Sequence, residues 1–276
     1  MSRIRHEAPV SKEVIMLQGI SIKNLSFSYD NDRLILKDIN MEVYAGEFVC
    51  LLGQSGCGKS TFLRLLMGLE TPTAGEILLN DQPIKGPSLD RGVVFQDYSL
   101  FPWMTAGDNI MLALQQRFPQ RKKKELKQLA VDKLKDVGLD SSVYIKLPKE
   151  LSGGMNQRCA IAQAFSMDPS ILLMDEPFGA LDAITRARLQ DLVLELWSKQ
   201  TSKKTVFFVT HDVDEAILLA NRIVVLGQSP STVIYEDHIS EEKRPTRENQ
   251  FKDPEVLRRR NELILQINND VVSRIS

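Results

Sequence analysis

Residues 53–61 constrain the fold of this chain more than any other segment. They read Gly-Gln-Ser-Gly-Cys-Gly-Lys-Ser-Thr and fit the phosphate-binding pattern G-x-x-x-x-G-K-[S/T] at every fixed position. The apolar run 48–52 before them predicts a buried strand, and residues 59–68 have the apolar spacing of a helix that ends at a glycine. Strand, loop and helix therefore come in the order that a phosphate-binding α/β unit requires.

Each residue type in this loop suits a bound nucleotide. Gly56 and Gly58 let backbone N–H groups turn toward phosphates at the start of a helix, where the helix dipole favours negative charge. Lys59 supplies a cation to the β- and γ-phosphates, and Ser60 offers a hydroxyl to magnesium. The strand before the loop and the helix after it favour this function over a purely structural loop. The predicted nucleotide-binding residues of the loop are Gly53, Gln54, Ser55, Gly56, Cys57, Gly58, Lys59, Ser60 and Thr61.

A pair of carboxylates ends a second apolar run. Residues 171–177 read Ile-Leu-Leu-Met-Asp-Glu-Pro, which predicts a buried parallel strand with Asp175 and Glu176 at its carboxyl end, where open α/β sheets place ligands. Asp175 suits magnesium, directly or through water, and Glu176 can polarise an attacking water. The alternative is a pair of helix-capping acids before Pro177. A phosphate loop in the same sheet favours the catalytic interpretation.

Three further side chains are candidates with open alternatives. His211 follows the apolar run 205–210 and could donate to a γ-phosphate, although a single histidine is often only a satisfied polar group. Gln96 follows residues 93–95 and could touch the metal or the water, or be an ordinary strand-end amide. Tyr29 could stack on a base. Its strand spacing with two preceding apolar residues slightly favours a place in the core.

A second glycine-rich sequence occupies residues 151–158 and reads Leu-Ser-Gly-Gly-Met-Asn-Gln-Arg. Ser152, Gly153 and Gly154 open a predicted helix, so a hydroxyl and bare backbone N–H groups form a second possible anion site. It is either an ordinary helix cap or a lid for the γ-phosphate. Spacing alone does not say whether a lid would close over the nucleotide of its own chain or of a partner.

The order of predicted elements indicates an α/β fold with a phosphate-loop NTPase core. Strands alternate with helices between residues 171 and 226, which predicts a mainly parallel sheet. Period-2 alternation over residues 17–49 predicts an N-terminal antiparallel β layer, with a turn at 30–32. The pattern turns helical from about residue 108 to 150, which predicts a helical insertion. The polar tail contains a helical stretch at 254–268.

Composition excludes several classes of protein. The formal net charge of −1 gives no electrostatic basis for binding nucleic acid, and the basic run 121–124 is typical of a solvated helix face. No apolar stretch approaches the roughly 18 residues that span a bilayer. The polar residues 1–12 lack the apolar core of a signal peptide. Three cysteines without metal-ligand spacing favour a reducing compartment.

Taken together, six segments resemble the full motif set of an ABC transporter ATP-binding subunit. They are residues 53–61, Gln96, 151–158, 171–177, 179–182 and His211. The resemblance implies a nucleotide-binding domain over residues 17–235 with its helical insertion at about 97–167. Residues 1–16 and 236–276 are then N-terminal and C-terminal extensions.

The resemblance also implies ATP and Mg²⁺ as cofactors and a role for each site residue. In that family two nucleotide domains stack head to tail, so Ser152 and Gly154 would cap the ATP held by Lys59 of the opposite subunit. Asp182 would line the seam between the two sites, and Tyr29 becomes an adenine-stacking residue. The implied catalytic residues are Gln96, Glu176 and His211. The implied metal ligands are Ser60, Gln96 and Asp175. Besides the phosphate loop, the implied nucleotide-binding residues are Tyr29, Ser152, Gly153, Gly154 and Asp182.

A narrower resemblance involves residues 97–109, which are similar to importer subunits of the nitrate/sulfonate/taurine branch. Pro102-Trp103, Thr105 and Asp108-Asn109 carry it, while Ala106-Gly107 departs from the usual β-branched residue and its neighbour. Residues 251–267 also resemble the short C-terminal helix of that branch. Met155-Asn156 replaces a commoner pair in the second glycine-rich sequence. ATP hydrolysis is expected despite this departure.

The expected function is therefore an ATPase subunit on the cytoplasmic face of the membrane. It would drive a separate transmembrane permease and import a small anion such as nitrate, sulfonate or taurine, delivered by an extracytoplasmic binding protein. The expected partners are a second copy of the chain and the permease, with no nucleic acid. The alternatives are an ATPase of another importer or exporter, or a soluble ABC ATPase acting on nucleic acid or ribosomes. The last class usually shows two nucleotide domains, a coiled-coil insertion or a basic surface.

Overall fold

The computed structural model describes residues 18–30, 33–199 and 203–275. The predicted N-terminal extension 1–16 and part of the predicted turn at 30–32 lie outside this range. The strands are β1 Gln18–Ser28, β2 Leu34–Tyr44, β3 Phe48–Leu52, β4 Ala74–Leu79, β5 Gln82–Pro83, β6 Arg91–Val94, β7 Ile171–Asp175, β8 Thr205–Thr210, β9 Arg222–Leu226 and β10 Val233–His238. The helices are α1 Lys59–Met67, α2 Ala106–Arg117, α3 Lys123–Asp136, α4 Gly153–Ser166, α5 Ala183–Ser198, α6 Val213–Leu219 and α7 Pro254–Ile275.

Within the described residues the strands form two sheets. One is antiparallel with the order β2-β1-β4-β5, and its first two strands confirm the antiparallel layer predicted from period-2 alternation. The other has the order β10-β9-β3-β8-β7-β6 and is parallel except for β10. The predicted α/β fold with a mainly parallel core sheet is confirmed.

Alternate residues of the parallel strands supply two hydrophobic cores. Val49 and Leu51 of β3 pack with α1 and the antiparallel sheet, while Phe48, Cys50 and Leu52 pack with α4, α5 and α6 on the other face. Because both faces are covered, the strands are apolar throughout rather than alternating. This sandwich holds the carboxyl ends of β3, β7 and β8 at one edge of the sheet.

Helices α2, α3 and α4 pack against one another in the region predicted as a helical insertion. Thr105 caps α2, because its hydroxyl oxygen accepts the backbone N–H of Asp108 at 3.1 Å. The same first turn is packed closely: a Cβ added at Gly107 would lie 2.3–2.4 Å from ring atoms of Tyr144. The Tyr144 ring is covered in turn by the ammonium of Lys127, 5.2 Å from the ring centroid.

Two elements differ from the predictions. Strand β10 was not predicted, because its residues are half-buried on an edge and their sequence, Val-Ile-Tyr-Glu-Asp-His, lacks clean alternation. Helix α7 runs to Ile275 rather than ending near residue 268. Among the described residues, no helix combines the length and the apolar character that crossing a bilayer would take.

Candidate active site

The structure brings the predicted catalytic segments to one edge of the parallel sheet. Strand β8 lies between β3 and β7, and Thr210 of β8 pairs with Leu52 while Val209 pairs with Asp175. The phosphate loop follows β3, Glu176 follows β7 and His211 follows β8. The residues that directly follow three neighbouring strands thus lie at the same edge of the sheet, as expected for ligand binding at an open α/β sheet.

The phosphate loop folds around the ammonium of Lys59. This group is buried and donates to the carbonyl oxygens of Gly53 at 2.9 Å and Gln54 at 2.8 Å. Gly58 begins α1 with a φ of 98°, and a Cβ there would lie 2.9 Å from Leu36, so a side chain would be both strained and crowded. The loop is a closed turn with its cation held at the N-terminus of a helix, where anions bind favourably.

Ser60 and Asp175 bring together the oxygen ligands that magnesium prefers. The Ser60 hydroxyl donates to Oδ1 of Asp175 at 3.1 Å. Desolvation raises the pKa of Asp175, an effect that the hydrogen bond from Ser60 opposes. No group of three or more His, Cys, Asp or Glu side chains that could hold a metal occurs in the described part of the chain. A hydroxyl and one carboxylate nevertheless fit Mg²⁺, which takes few protein ligands and completes its shell with phosphate and water.

Glu176 and His211 form the second polar pair of the site. Oε2 of Glu176 lies 3.2 Å from Nδ1 of His211. The Glu176 backbone has a φ of 41° and its N–H donates to the carbonyl of Val209 at 3.1 Å. A non-glycine residue in the left-handed region costs roughly 1 kcal/mol or more and persists where its surroundings fix it. The backbone strain turns this carboxylate away from the strand direction and toward His211.

Gln96 lies beside the loop that follows β7 and carries Glu176. Its amide nitrogen would be 3.3 Å from a Cβ added at Gly179, three residues after Glu176. The side chain is exposed, and within the described residues it makes no hydrogen bond to Ser60 or Asp175. Its predicted roles at the metal and at the water stay predictions.

Tyr29 lies at the mouth of the phosphate loop. Its side chain is 52% exposed, its hydroxyl is 3.3 Å from Oγ1 of Thr61, and its ring packs edge-on against Phe27 at 4.8 Å between centroids. The alternative of a core aromatic is therefore wrong. β1 ends at Ser28, so Tyr29 no longer follows the alternation of the strand. An exposed ring beside α1 leaves room for a base.

The second glycine-rich sequence lies at the N-terminus of α4. The Ser152 hydroxyl accepts the backbone N–H of Met155 at 3.3 Å, so the predicted helix cap is present. A Cβ on Gly154 would lie 2.6 Å from Cγ2 of Thr185, and one on Gly153 would lie 2.9 Å from the hydroxyl of Tyr98. The second glycine-rich sequence therefore packs closely against α5 and against the segment after Gln96.

Asp182 caps α5 beside that sequence. Its Oδ1 accepts the backbone N–H groups of Ile184 at 3.1 Å and Thr185 at 3.0 Å. The hydrogen bonds from Thr185 lower the pKa of the Asp182 carboxyl. Ser152 and Asp182 make no hydrogen bond to the phosphate loop of their own chain in its described part. Two capped helix starts thus lie together, separate from the cation of Lys59.

The Cys57 side chain is buried against the core, so only its backbone faces the space that phosphates would occupy. Burial raises the pKa of its thiol. Ser231, which is fully buried behind Cys57, belongs to no motif that sequence reasoning could have found. Its hydroxyl lies within hydrogen-bond distance of the Cys57 carbonyl and 2.8 Å from the carbonyl of Gly227. A contact across 174 positions leaves no local pattern to read.

A two-layer core with a phosphate loop, a strand-end acid pair and a histidine at one sheet edge defines a phosphate-loop ATPase. The family model described as ABC transporter matches residues 36–179. The chain belongs to this family: it is an ATP-binding subunit that hydrolyses ATP to energise transport.

Three comparisons illustrate the relationship. The chain is 48% identical to the nitrate import ATP-binding protein NrtD of Synechococcus elongatus over 201 residues, 73% of this chain and 72% of NrtD. It is 43% identical to the nitrate transport protein NasD of Klebsiella oxytoca, over 82% of this chain and 84% of NasD. A dimeric structure of the ATP-binding cassette MJ0796 bound to ADP and phosphate superposes with a TM-score of 0.69 at 31% identity, covering 79% of this chain and 98% of the cassette.

Proposed function

We propose that this ATPase powers import of a small anion such as nitrate, sulfonate or taurine through a separate membrane permease. The observation that carries the proposal is the 48% identity with a nitrate import ATP-binding protein. The chain itself supplies the phosphate loop, the Ser60–Asp175 pair and the Glu176–His211 pair that ATP hydrolysis needs. It would lie on the cytoplasmic face of the membrane, and the anion would reach the permease from an extracytoplasmic binding protein.

In this proposal the phosphate loop and the Ser60–Asp175 pair hold the triphosphate. Lys59 exchanges its contacts with loop carbonyls for contacts with the β- and γ-phosphates, and the exposed ring of Tyr29 stacks on the adenine. Ser60, Asp175 and Gln96 would hold Mg²⁺, which would neutralise charge on the phosphate oxygens.

Glu176 is the proposed general base. Its carboxylate accepts a proton from the attacking water while His211, 3.2 Å away, holds the carboxylate in place and donates to the γ-phosphate. The two roles use different ring nitrogens: Nδ1 faces Glu176 and Nε2 would face the phosphate. Donating to both at once requires the imidazolium form, which carries a proton on each nitrogen. Gln96, beside the loop that carries Glu176, orients the water.

The proposed active unit is a head-to-tail pair of chains. Within one chain, Ser152, Gly153 and Gly154 form a capped helix start that makes no hydrogen bond to its own phosphate loop, in the described residues. In a second copy the same helix start would cover the γ-phosphate held by Lys59, and Asp182 would lie at the seam. The dimeric cassette at 31% identity supports this arrangement.

The permease would dock on the segment after Gln96. Trp103 is 73% exposed and packs against the half-exposed Phe101, with 5.4 Å between ring centroids. An exposed aromatic pair next to the nucleotide-sensing Gln96 has the composition of an interface core. Tyr98, which lies between Gln96 and Trp103 in the chain, approaches the second glycine-rich sequence at Gly153. One short segment would therefore link the permease-binding surface to the nucleotide site.

Trp103→Ala should uncouple ATP hydrolysis from transport. Losing a tryptophan that the permease would bury is expected to weaken assembly by about 2 kcal/mol or more. ATP hydrolysis by the isolated subunit should stay normal, because the ring is exposed and packs against Phe101. The measurement is copurification with the permease together with anion uptake. Tyr44→Ala, which removes an exposed aromatic ring from the antiparallel sheet, is the matched control. Unchanged assembly and uptake in Trp103→Ala would reject this docking surface.

Uptake measurements test the proposed substrate class. A host that lacks this chain should lose uptake of one labelled anion among nitrate, bicarbonate and taurine. The wild-type chain should restore that uptake, and the Glu176→Gln variant should not, because import needs hydrolysis. Normal uptake of all three anions in the deleted host would contradict anion import by this subunit.

A further inference from the structure

The backbone on both sides of His211 is tied down by hydrogen bonds. The imidazole itself is 64% exposed and hydrogen-bonds to Glu176, so packing does little to hold the ring. The Thr210 hydroxyl accepts the backbone N–H of Asp212 at 3.0 Å. Oδ1 of Asp212 in turn accepts the backbone N–H of Glu215 at 3.1 Å, which caps α6. The placement of His211 therefore depends on the two residues that flank it.

Glu215 is a buried carboxylate beside this turn. It lines a cavity of about 50 Å³ that Glu176 and His211 also line. Its Oε1 accepts from the side-chain amide of Gln190 on α5 at 2.7 Å. Desolvation raises the pKa of the Glu215 carboxyl, and hydrogen bonds from Thr210 and Gln190 lower it. One water needs roughly 10–15 Å³, so the cavity has room for a carboxylate that lost its hydrogen bonds to turn toward Glu176.

Arg247 fixes the amide of Gln190. It lies in the connection between β10 and α7, and its Nη2 donates to Oε1 of Gln190 at 2.8 Å and to the carbonyl of Ala187 at 2.6 Å. Its Nε forms an ion pair with Oδ1 of Asp191 at 2.7 Å. A guanidinium only donates and an ionised carboxylate only accepts. The amide between them therefore has one orientation, with its oxygen toward Arg247 and its nitrogen toward Glu215.

A second arginine holds the same connection against α5. The guanidinium carbon of Arg244 lies 4.8 Å from the centroid of the Trp197 ring, which is buried near the end of that helix. Arg247 is thus presented to Gln190 by a connection that is anchored at two points along α5.

We propose that Arg247 is a positioning residue for ATP hydrolysis, which acts on the turn that carries His211. The inference rests on the proposed role of His211 at the γ-phosphate. Without Arg247 the Gln190 amide can rotate, and the buried carboxylate of Glu215 loses its fixed donor. This carboxylate then turns into the shared cavity, where it repels Glu176 and competes for His211. The segment after β10 therefore belongs to the catalytic unit.

Kinetics of the full chain test this role. Arg247→Met should lower kcat for ATP hydrolysis by about tenfold, less than the roughly 10²-fold that a 1 Å misplacement of a reacting group can cost. The KM for MgATP should not change, because the phosphate loop is left intact. Arg117→Met is the matched control, since it also removes a one-third exposed arginine that pairs with an aspartate, but at the end of α2. It should hydrolyse ATP at the wild-type rate. An unchanged kcat in a folded Arg247→Met protein would overturn the inference.

Substitutions at Glu215 separate positioning from a simple loss of stability. Glu215→Gln keeps an oxygen that can accept from Gln190 and should retain most of kcat, whereas Glu215→Ala should lose at least as much as Arg247→Met. Combining Arg247→Met with Glu215→Ala should lower kcat no further than Glu215→Ala alone, because both changes break the same chain of hydrogen bonds. Additive losses would show that Arg247 acts by another route and would overturn the inference. If Glu215→Ala does not fold, Gln190→Met supplies the same comparison.

The outcomes separate this inference from the proposed function. If His211→Ala is slow and Arg247→Met has a normal kcat, the positioning role is wrong and the role of His211 stands. If His211→Ala hydrolyses ATP at the wild-type rate, the proposed role of His211 fails and the inference fails with it. If Arg247→Met raises KM and leaves kcat unchanged, the arginine affects nucleotide binding, and the inference is again overturned. The transported anion is decided separately, by the uptake measurements.

Discussion

Glu176→Gln should lower the rate of ATP hydrolysis by about 10²–10⁴-fold, the contribution typical of a general base. The amide keeps the shape of the side chain and can still hydrogen-bond to His211, 3.2 Å away, but it cannot accept the proton of the water. Binding of ATP should survive, because Lys59 and the loop remain. The measurement is steady-state phosphate release beside equilibrium binding of a fluorescent ATP analogue.

A matched substitution separates this effect from a general loss of charge. Glu195→Gln makes the same carboxylate-to-amide change on the exposed surface of α5, where the carboxylate pairs with Lys199. It should hydrolyse ATP at the wild-type rate. Hydrolysis by Glu176→Gln within a few-fold of wild type would exclude Glu176 as the base.

The same blocked protein should accumulate as a dimer with MgATP, because ATP that both chains contact binds the dimer more tightly than the monomer and so favours assembly. Adding Ser152→Arg places a bulky side chain at the start of α4 and should abolish the dimer while the phosphate loop stays intact. Sizing chromatography with MgATP measures both. A Glu176→Gln protein that stays monomeric, or a double variant that still dimerises, would count against capping by the opposite chain.

Lys59→Ala should weaken MgATP binding by about 10- to 100-fold, the range expected for losing hydrogen bonds to charged groups. The Lys59 ammonium is the cation that the loop encloses, and without it the loop would offer the phosphates only backbone dipoles. Isothermal titration with a non-hydrolysable analogue measures the change.

Two checks keep this result interpretable. Because Lys59 also bonds to the carbonyls of Gly53 and Gln54, a thermal unfolding curve must show that the variant is folded. Lys85→Ala, which removes an exposed lysine outside the site, should bind ATP normally. Near-normal affinity in a folded Lys59→Ala protein would reject the phosphate-loop assignment.

Local patterns were sufficient to predict much of the fold and the catalytic edge. Asp175 and Glu176 were predictable because they end a fully apolar run, and the carboxyl ends of parallel strands meet at one edge. His211 followed from the same reasoning. Tyr29 shows the limit: period-2 spacing extends to it, but the strand ends one residue earlier, and the end of a strand depends on its pairing partners.

Contacts between distant segments could not be predicted from sequence. Ser231 supports the carbonyl of Cys57, and Gln228 joins the phosphate loop to α7, each across 174 positions. Neither is part of a periodic pattern, and both depend on how β9 packs beside β3. The left-handed backbone of Glu176 is similar, since its N–H donates to Val209 on a neighbouring strand.

The close packing of Gly107 against Tyr144 explains why the start of α2 has no side chain at this position. The Tyr144 ring fills the volume that a side chain would take at position 107, with distances of 2.3–2.4 Å to any Cβ placed there. The two positions therefore constitute one complementary volume shared between two helices, and substitutions at them are coupled. A valine at 107 becomes compatible with this backbone only when Tyr144 is replaced by a small residue. Sequence comparison across the branch should accordingly show large residues at one position paired with small ones at the other.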